Sequence, residues 1–145
     1  MEELKGYNRL VLNEIICISK IIHKQAKFQL AICNKIFPEN LKGACGLLSV
    51  TLFNKLNHKY DLAVVYGKYK KHNHCWVEFD SSIIDLTATQ FRINKEVFLS
   101  KKDCNYSRLH IVNNLSFFNN WNKYSQPSSY NVTWRDNMPI FKYKY

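Results

Sequence analysis

Asn73-His74-Cys75-Trp76-Val77-Glu78-Phe79, then Asp80-Ser81-Ser82, then Ile83-Ile84-Asp85-Leu86-Thr87-Ala88, is the stretch on which the fold turns. Both flanking runs alternate, and a period of two marks a strand with two unlike faces. The polar triplet between them predicts an antiparallel hairpin. Alternation puts His74, Trp76 and Glu78 on one face and Cys75, Val77 and Phe79 on the other. The placement of Asp85 depends on the turn. A loop of two residues (Asp80-Ser81) or of four (Phe79 to Ser82) pairs position 85 with position 76, and His74 and Asp85 then share a face as diagonal neighbours. A three-residue loop pairs Asp85 with Val77 and turns it away.

Upstream of the hairpin, Leu62 to Tyr66 is a β-branched run closed by Gly67, a strand, and Lys68 to His72 reads as a basic loop. Cys45 to Leu56 reads as a helix, with Leu48, Leu52 and Leu56 four apart and Asn57-His58-Lys59 ending it. The first segment carries Leu4, Tyr7, Val11, Ile15, Ile18 and Ile22 at helical spacing. It continues through Ala26 towards Ile36, with Gly6 weakening its first turn and Pro38 stopping it. Downstream, Arg108 to Val112 predicts a further strand and Leu115 to Tyr124 a short helix built on Phe118 and Trp121; beyond Ser125 no period stands out. Helices first and antiparallel strands after is the order of an α+β fold, N-terminal helices packed on an antiparallel sheet. With no repeat and no linker, residues 1–145 form a single domain.

Composition narrows the class. A 46% hydrophobic and 14% aromatic content is globular, not disordered. No run approaches the roughly 18 apolar residues of a membrane span, and the acidic start Met1-Glu2-Glu3 is unlike a signal peptide, so the cytoplasm is the expected compartment. Five cysteines, at 17, 33, 45, 75 and 104, are odd in number and show no CxxC pair, which argues against a disulfide framework and a structural zinc site. The net charge of +10 favours an acidic partner such as nucleic acid. Yet the lysines are scattered, with local clusters only at Lys68–Lys71 and Lys101-Lys102, the usual pattern of a solvated basic surface. Nothing in these patterns assigns an oligomeric state.

Three residues have a joint chemical reading. Cys45 follows Gly43-Ala44 and opens the second helix, where unpaired N–H groups and the dipole favour a thiolate. Its own N–H is a candidate oxyanion donor, and Gly46 lets a substrate backbone come close. A thiolate attacks an amide or ester carbonyl; an imidazole, here His74, takes the thiol proton and returns it to the leaving amine. A carboxylate, here Asp85, fixes the ring's tautomer and stabilises the imidazolium. This chemistry needs no cofactor. The commoner meanings are a buried small cysteine, a structural histidine and a strand-end carboxylate, and each residue gains weight from the other two.

Cys45-Gly46-Leu47-Leu48-Ser49, His74-Cys75-Trp76-Val77-Glu78 and Ile83-Ile84-Asp85-Leu86-Thr87 together resemble the core of the transglutaminase-like, papain-like cysteine proteins, over roughly residues 43 to 91. The resemblance implies a cysteine nucleophile acting on amide bonds of a protein or peptide: a thiol protease, a glutamine deamidase, a transglutaminase or a related acyl transferase. Small bacterial and phage-borne members include effectors delivered to a host cell. In papain-like relatives a glutamine shortly before the cysteine completes the oxyanion hole. Here only Gln25 and Gln29 lie upstream, both far off on the first helix, and Trp76 is placed to line the site instead.

Two rival readings compete. His72, His74 and Cys75, with Cys104 or His110, crowd potential metal ligands together, but alternation sends Cys75 away from both histidines and the spacing fits no common zinc pattern, so no metal is expected. Lys68-Tyr69-Lys70-Lys71-His72 and the terminal Phe141-Lys142-Tyr143-Lys144-Tyr145 mix charge with rings, as a nucleic-acid-binding or protein-interaction module without catalysis would. A lysine-bearing edge strand is the commoner meaning of such a tail. Gln90-Phe91 reads as packing at the strand end, and His23, His58 and His110 as structural or solvated.

Overall fold

A computed structural model describes residues 2–28, 41, 44–101, 103–112, 130–135 and 138–143. Helix α1 spans Glu2–Lys27 and α2 spans Cys45–Leu56. A five-stranded antiparallel sheet follows: β1 Ala63–Tyr69, β2 His72–Phe79, β3 Ser82–Asp85, β4 Phe98–Ser100 and β5 Tyr106–Val112, in the order β4-β3-β2-β1-β5. A 3₁₀ turn, Ala88–Phe91, leaves β3. Strands β6 (Tyr130–Arg135) and β7 (Met138–Tyr143) pair in a separate hairpin. The architecture is α+β. Among the described residues no helix is long and apolar enough to cross a membrane.

The central hairpin has the two-residue turn. Phe79 pairs with Ser82 and Val77 with Ile84, and Asp80 and Ser81 both take positive φ, 48° and 63°, as a type I′ turn requires. The register therefore carries position 85 to position 76. The two faces of the sheet bury different chemistry. Cys75, Val77, Val64 and Ile84 meet Val11, Ile15 and Ile22 of α1 and Leu48, Leu52 and Phe53 of α2. Val65, Tyr69, Trp76, Ile83 and Tyr106 form an aromatic cluster on the other face, with Phe91, Ile93 and Phe98 against it.

Several boundaries depart from the sequence reading. Lys68 to His72 is no loop: β1 runs through Tyr69 and β2 starts at His72, leaving only Lys70-Lys71 to turn. The cause is Tyr69, whose buried ring stacks on Phe91 at 4.3 Å and prolongs the strand. The run from Ile83 stops at Asp85 instead of Ala88, because the Asp85 Oδ1 accepts the Thr87 N–H at 2.9 Å and this side-chain turn bends the chain away. The alternation hid β4 and β6, while the lysine-bearing tail read as an edge strand overlaps β7. Residues 29–40 and 113–129, with Ile36, Pro38 and the Leu115–Tyr124 helix, lie outside the described residues.

Gly67 sits where the β1–β5 register shifts, between Tyr66 and Gly67. A Cβ there would stand 2.0 Å from the Ser107 carbonyl oxygen and 2.9 Å from the Trp76 ring. Only a residue without a side chain lets β5 approach so closely.

Candidate active site

Asp85 ends β3 fully buried, and four donors converge on its carboxylate. His74 Nε2 stands 2.6 Å from Oδ2, and the Tyr106 hydroxyl donates to the same oxygen at 2.8 Å. The Thr87 N–H at 2.9 Å and the Thr87 hydroxyl at 3.3 Å take Oδ1. A buried carboxylate so saturated has no freedom to turn.

His74 is equally enclosed, its side chain having no exposed surface. Phe91 meets its ring edge-on at 4.7 Å, and Trp76, Tyr69 and Tyr106 complete a wall of rings between 5.9 and 6.5 Å away. Its pKa rises from 6.5 to about 9. Burial pushes it down, but hydrogen bonds with Asp85 and with the Cys45 thiol, and the charges of both, push it up by more. With Nε2 committed to Asp85, Nδ1 is the nitrogen left for the thiol, which shares it with Gln90. Gln90 Nε2 stands 3.3 Å from that Nδ1 and donates to the Thr87 hydroxyl at 3.0 Å.

Cys45 is the first residue of α2 and is half-buried. Ala44 before it caps nothing with its side chain, and no acidic residue stands in the first turn, so neither supplies an acceptor for the first N–H groups. The body of α2 packs on the Cys75 face of the sheet, opposite to the face of His74. Only the helix start reaches the histidine. The Cys45 thiol borders the helix-side core, acts electrostatically on buried Cys75, and raises the pKa of His74, so it acts on both faces. Burial holds the Cys75 thiol well above its ordinary pKa, in spite of hydrogen bonds with Ser49 and Tyr66, so Cys75 stays protonated beside it.

Cys45, His74 and Asp85 thus come together. Gly46 is buried in the first turn of α2. Trp76 binds Glu78 through Nε1 at 2.9 Å and is buried; its ring backs the histidine and lies at the floor of a depression of about 510 Å³ that it lines with Glu78, Tyr106 and Arg108. Gln25 makes no hydrogen bond to Cys45, His74 or Asp85; its Oε1 is buried without a partner among the described residues. Gln29 lies outside them. His72 is exposed and stacks near Phe91, Cys104 is exposed, and no group of three His, Cys, Asp or Glu among the described residues could hold a metal.

Sequence reasoning missed Thr87, Gln90 and Tyr106. Asp85-Leu86-Thr87 carried a local signal, an Asp two residues before a Thr, which favours the side-chain turn found here. Gln90 then follows one 3₁₀ turn later, reaching back to Thr87. Tyr106 had no local signal: it is 21 residues from Asp85 and arrives on β5, beyond β1.

Compared with protein-family models, with curated proteins and with solved structures, the chain matches none.

Proposed function

We propose that this protein is a cysteine-dependent hydrolase or acyl transferase acting on amide bonds, with Cys45 as nucleophile, His74 as acid and base, and Asp85 as the partner that orients the ring. The observation that carries this reading is one buried imidazole that is bonded to a carboxylate at 2.6 Å and whose pKa is also raised by a thiol at a helix start. With its pKa near 9 the ring keeps a proton at neutral pH, which suits a thiolate–imidazolium pair. The thiolate adds to the carbonyl carbon, and the Nδ1 proton passes to the leaving nitrogen as the C–N bond breaks, leaving a thioester. Water or an amine then adds, giving its proton to His74 and releasing the thiol. The Cys45 N–H at the helix start is one donor for the oxyanion. The Gln90 amide, engaged with His74 Nδ1 and the Thr87 hydroxyl in this structure, would become a second by leaving the ring nitrogen. In that role Gln90, downstream of the histidine, would replace the upstream candidates Gln25 and Gln29.

Further support comes from the order of parts: nucleophile on a helix, histidine and aspartate on adjacent antiparallel strands, as in the transglutaminase-like, papain-like fold that the motifs resemble. A protein or peptide is the substrate this resemblance implies. A second reading, nucleic-acid binding without catalysis, draws on the exposed Lys68, Lys70 and Lys71 around the β1–β2 turn.

Brief iodoacetamide labelling at neutral pH, read by mass spectrometry, tests the proposal. Cys45 should be modified at least about tenfold faster than exposed Cys17 and Cys104, with buried Cys75 slowest. Labelling at Cys45 no faster than at Cys17 would remove the nucleophile.

A further inference from the structure

We infer that the groove at the C-terminal end of α1 binds an organic phosphate, at a site separate from Cys45, His74 and Asp85. Two adjoining depressions, of about 480 and about 460 Å³, share Lys20, His23, Lys27 and Glu96 as lining residues. Lys95, from the segment before β4, lines the first, and Lys24 the second. Four ammonium groups therefore face a single carboxylate, and none of the five forms an ion pair among the described residues. Lys24 and Lys27 have a local reason to be there, since cations suit the end of a helix. Lys20, a turn earlier, and Lys95, from another part of the chain, do not. Lys20 and Lys24, four apart, repel each other until an anion arrives.

His23 makes the groove more than a patch of surface lysines. It is only 3% exposed, lines both depressions, and is held through Nδ1 to the Leu86 carbonyl oxygen at 2.7 Å. Nδ1 donates in that bond, which leaves Nε2 of the neutral ring as an acceptor, ready for an O–H donor. A phosphate monoester can engage several ammonium groups at once through its acceptor oxygens, and as the monoanion its P–O–H can donate to the ring nitrogen. The organic part has its own shelf: Ile21 and Phe28 line the second depression and are 48% and 59% exposed.

Calorimetry on the Cys45→Ala protein of 145 residues tests the site without catalysis, so failure here leaves the thiol chemistry untouched. The probes are inorganic phosphate, a nucleoside 5′-monophosphate, and vesicles of phosphatidylcholine with and without phosphatidate, which separate a soluble phosphate from a lipid headgroup. Saturable binding of the monophosphate, tighter than of inorganic phosphate, is expected, or of phosphatidate vesicles alone if the headgroup is the source. Lys20→Ala with Lys95→Ala should weaken it at least tenfold. Phe28→Ala should weaken the organic ligand and leave inorganic phosphate unchanged, and Lys68→Ala with Lys70→Ala should change neither. No saturable binding of any probe at low salt, or an equal loss from the Lys68 and Lys70 substitutions, would overturn the site. Melting curves confirm that each exposed-residue variant is folded.

Discussion

Asp85 commits both carboxylate oxygens, and its neighbours decide how strongly it holds His74. Asp85→Asn conserves the volume but puts an N–H₂ where four donors already point, so at least one contact becomes repulsive. Turnover of an activated ester should fall by roughly three to four orders of magnitude while the fold persists. Stability should respond with a definite sign. The folded pKa of His74, about 9, lies above the ordinary 6.5, so the charged ring's contribution is fully present below pH 6.5 and is lost as pH rises through 9. The melting-temperature gap between the native protein and Asp85→Asn should therefore be widest near pH 6 and narrow by pH 10. Tyr106 acts in the opposite sense. Burial, then the charge of Asp85 and the hydrogen bond to it, push the Tyr106 pKa well up, so its hydroxyl stays a donor and competes with His74 for Oδ2. Tyr106→Phe frees that oxygen for the imidazolium. The alkaline limb of the pH profile of ester turnover should move to higher pH; a limb that stayed or moved down would deny Tyr106 this influence.

At the scale of elements, the site depends on three strands meeting in one register. The β2–β3 turn sets which face Asp85 takes, and Gly67 lets β5 close against β1 and bring Tyr106 in. At Gly67 a methyl group would meet a backbone oxygen, which no side-chain rotation can relieve. Gly67→Ala should cost about 3 kcal/mol, the upper part of the range for overpacking. That corresponds to a fall of roughly 10 °C in melting temperature for a chain of this size. Calorimetric melting checks it, and a change below 2 °C would mean that β5 can shift away at little cost. Elements at the other end are tied differently. Glu14 of α1 accepts from Lys59 at 2.8 Å and from the Tyr60 hydroxyl, joining α1 to the chain just after α2. The exposed ion pair with Lys59 orients the helix more than it stabilises it.

For the whole molecule, the +10 charge separates the two functional readings. Binding of nucleic acid through Lys68, Lys70 and Lys71 would fall steeply with salt, and removing all three lysines should reduce the log–log salt slope by about 3. Thiol chemistry in a buried site is screened far less. We expect the Cys45 alkylation rate to change by less than about twofold between 50 and 300 mM salt. Cys45→Ala should abolish ester turnover and leave any nucleic-acid binding intact. Turnover undiminished in Cys45→Ala would end the enzymatic proposal.

What the sequence determined by itself was whatever a local period or a local turn controls. The helix opening at Cys45 follows from leucines four apart, and the shared face of His74, Trp76 and Asp85 from strict alternation plus a short polar turn. Even there two turn lengths agreed and one did not, and only the paired strands decided for Asp80-Ser81. The tertiary structure alone decided three further things. It put α2 on the Cys75 face with only its first residue reaching His74, because helix and sheet pack by their largest apolar surfaces and not by their polar ones. It stretched β1 and β2 past the basic run, because burying Tyr69 outweighed the turn preference of its neighbours. And it brought Tyr106 to Asp85 from a strand two places across the sheet from β2, a contact set by strand order, which no spacing along the chain encodes.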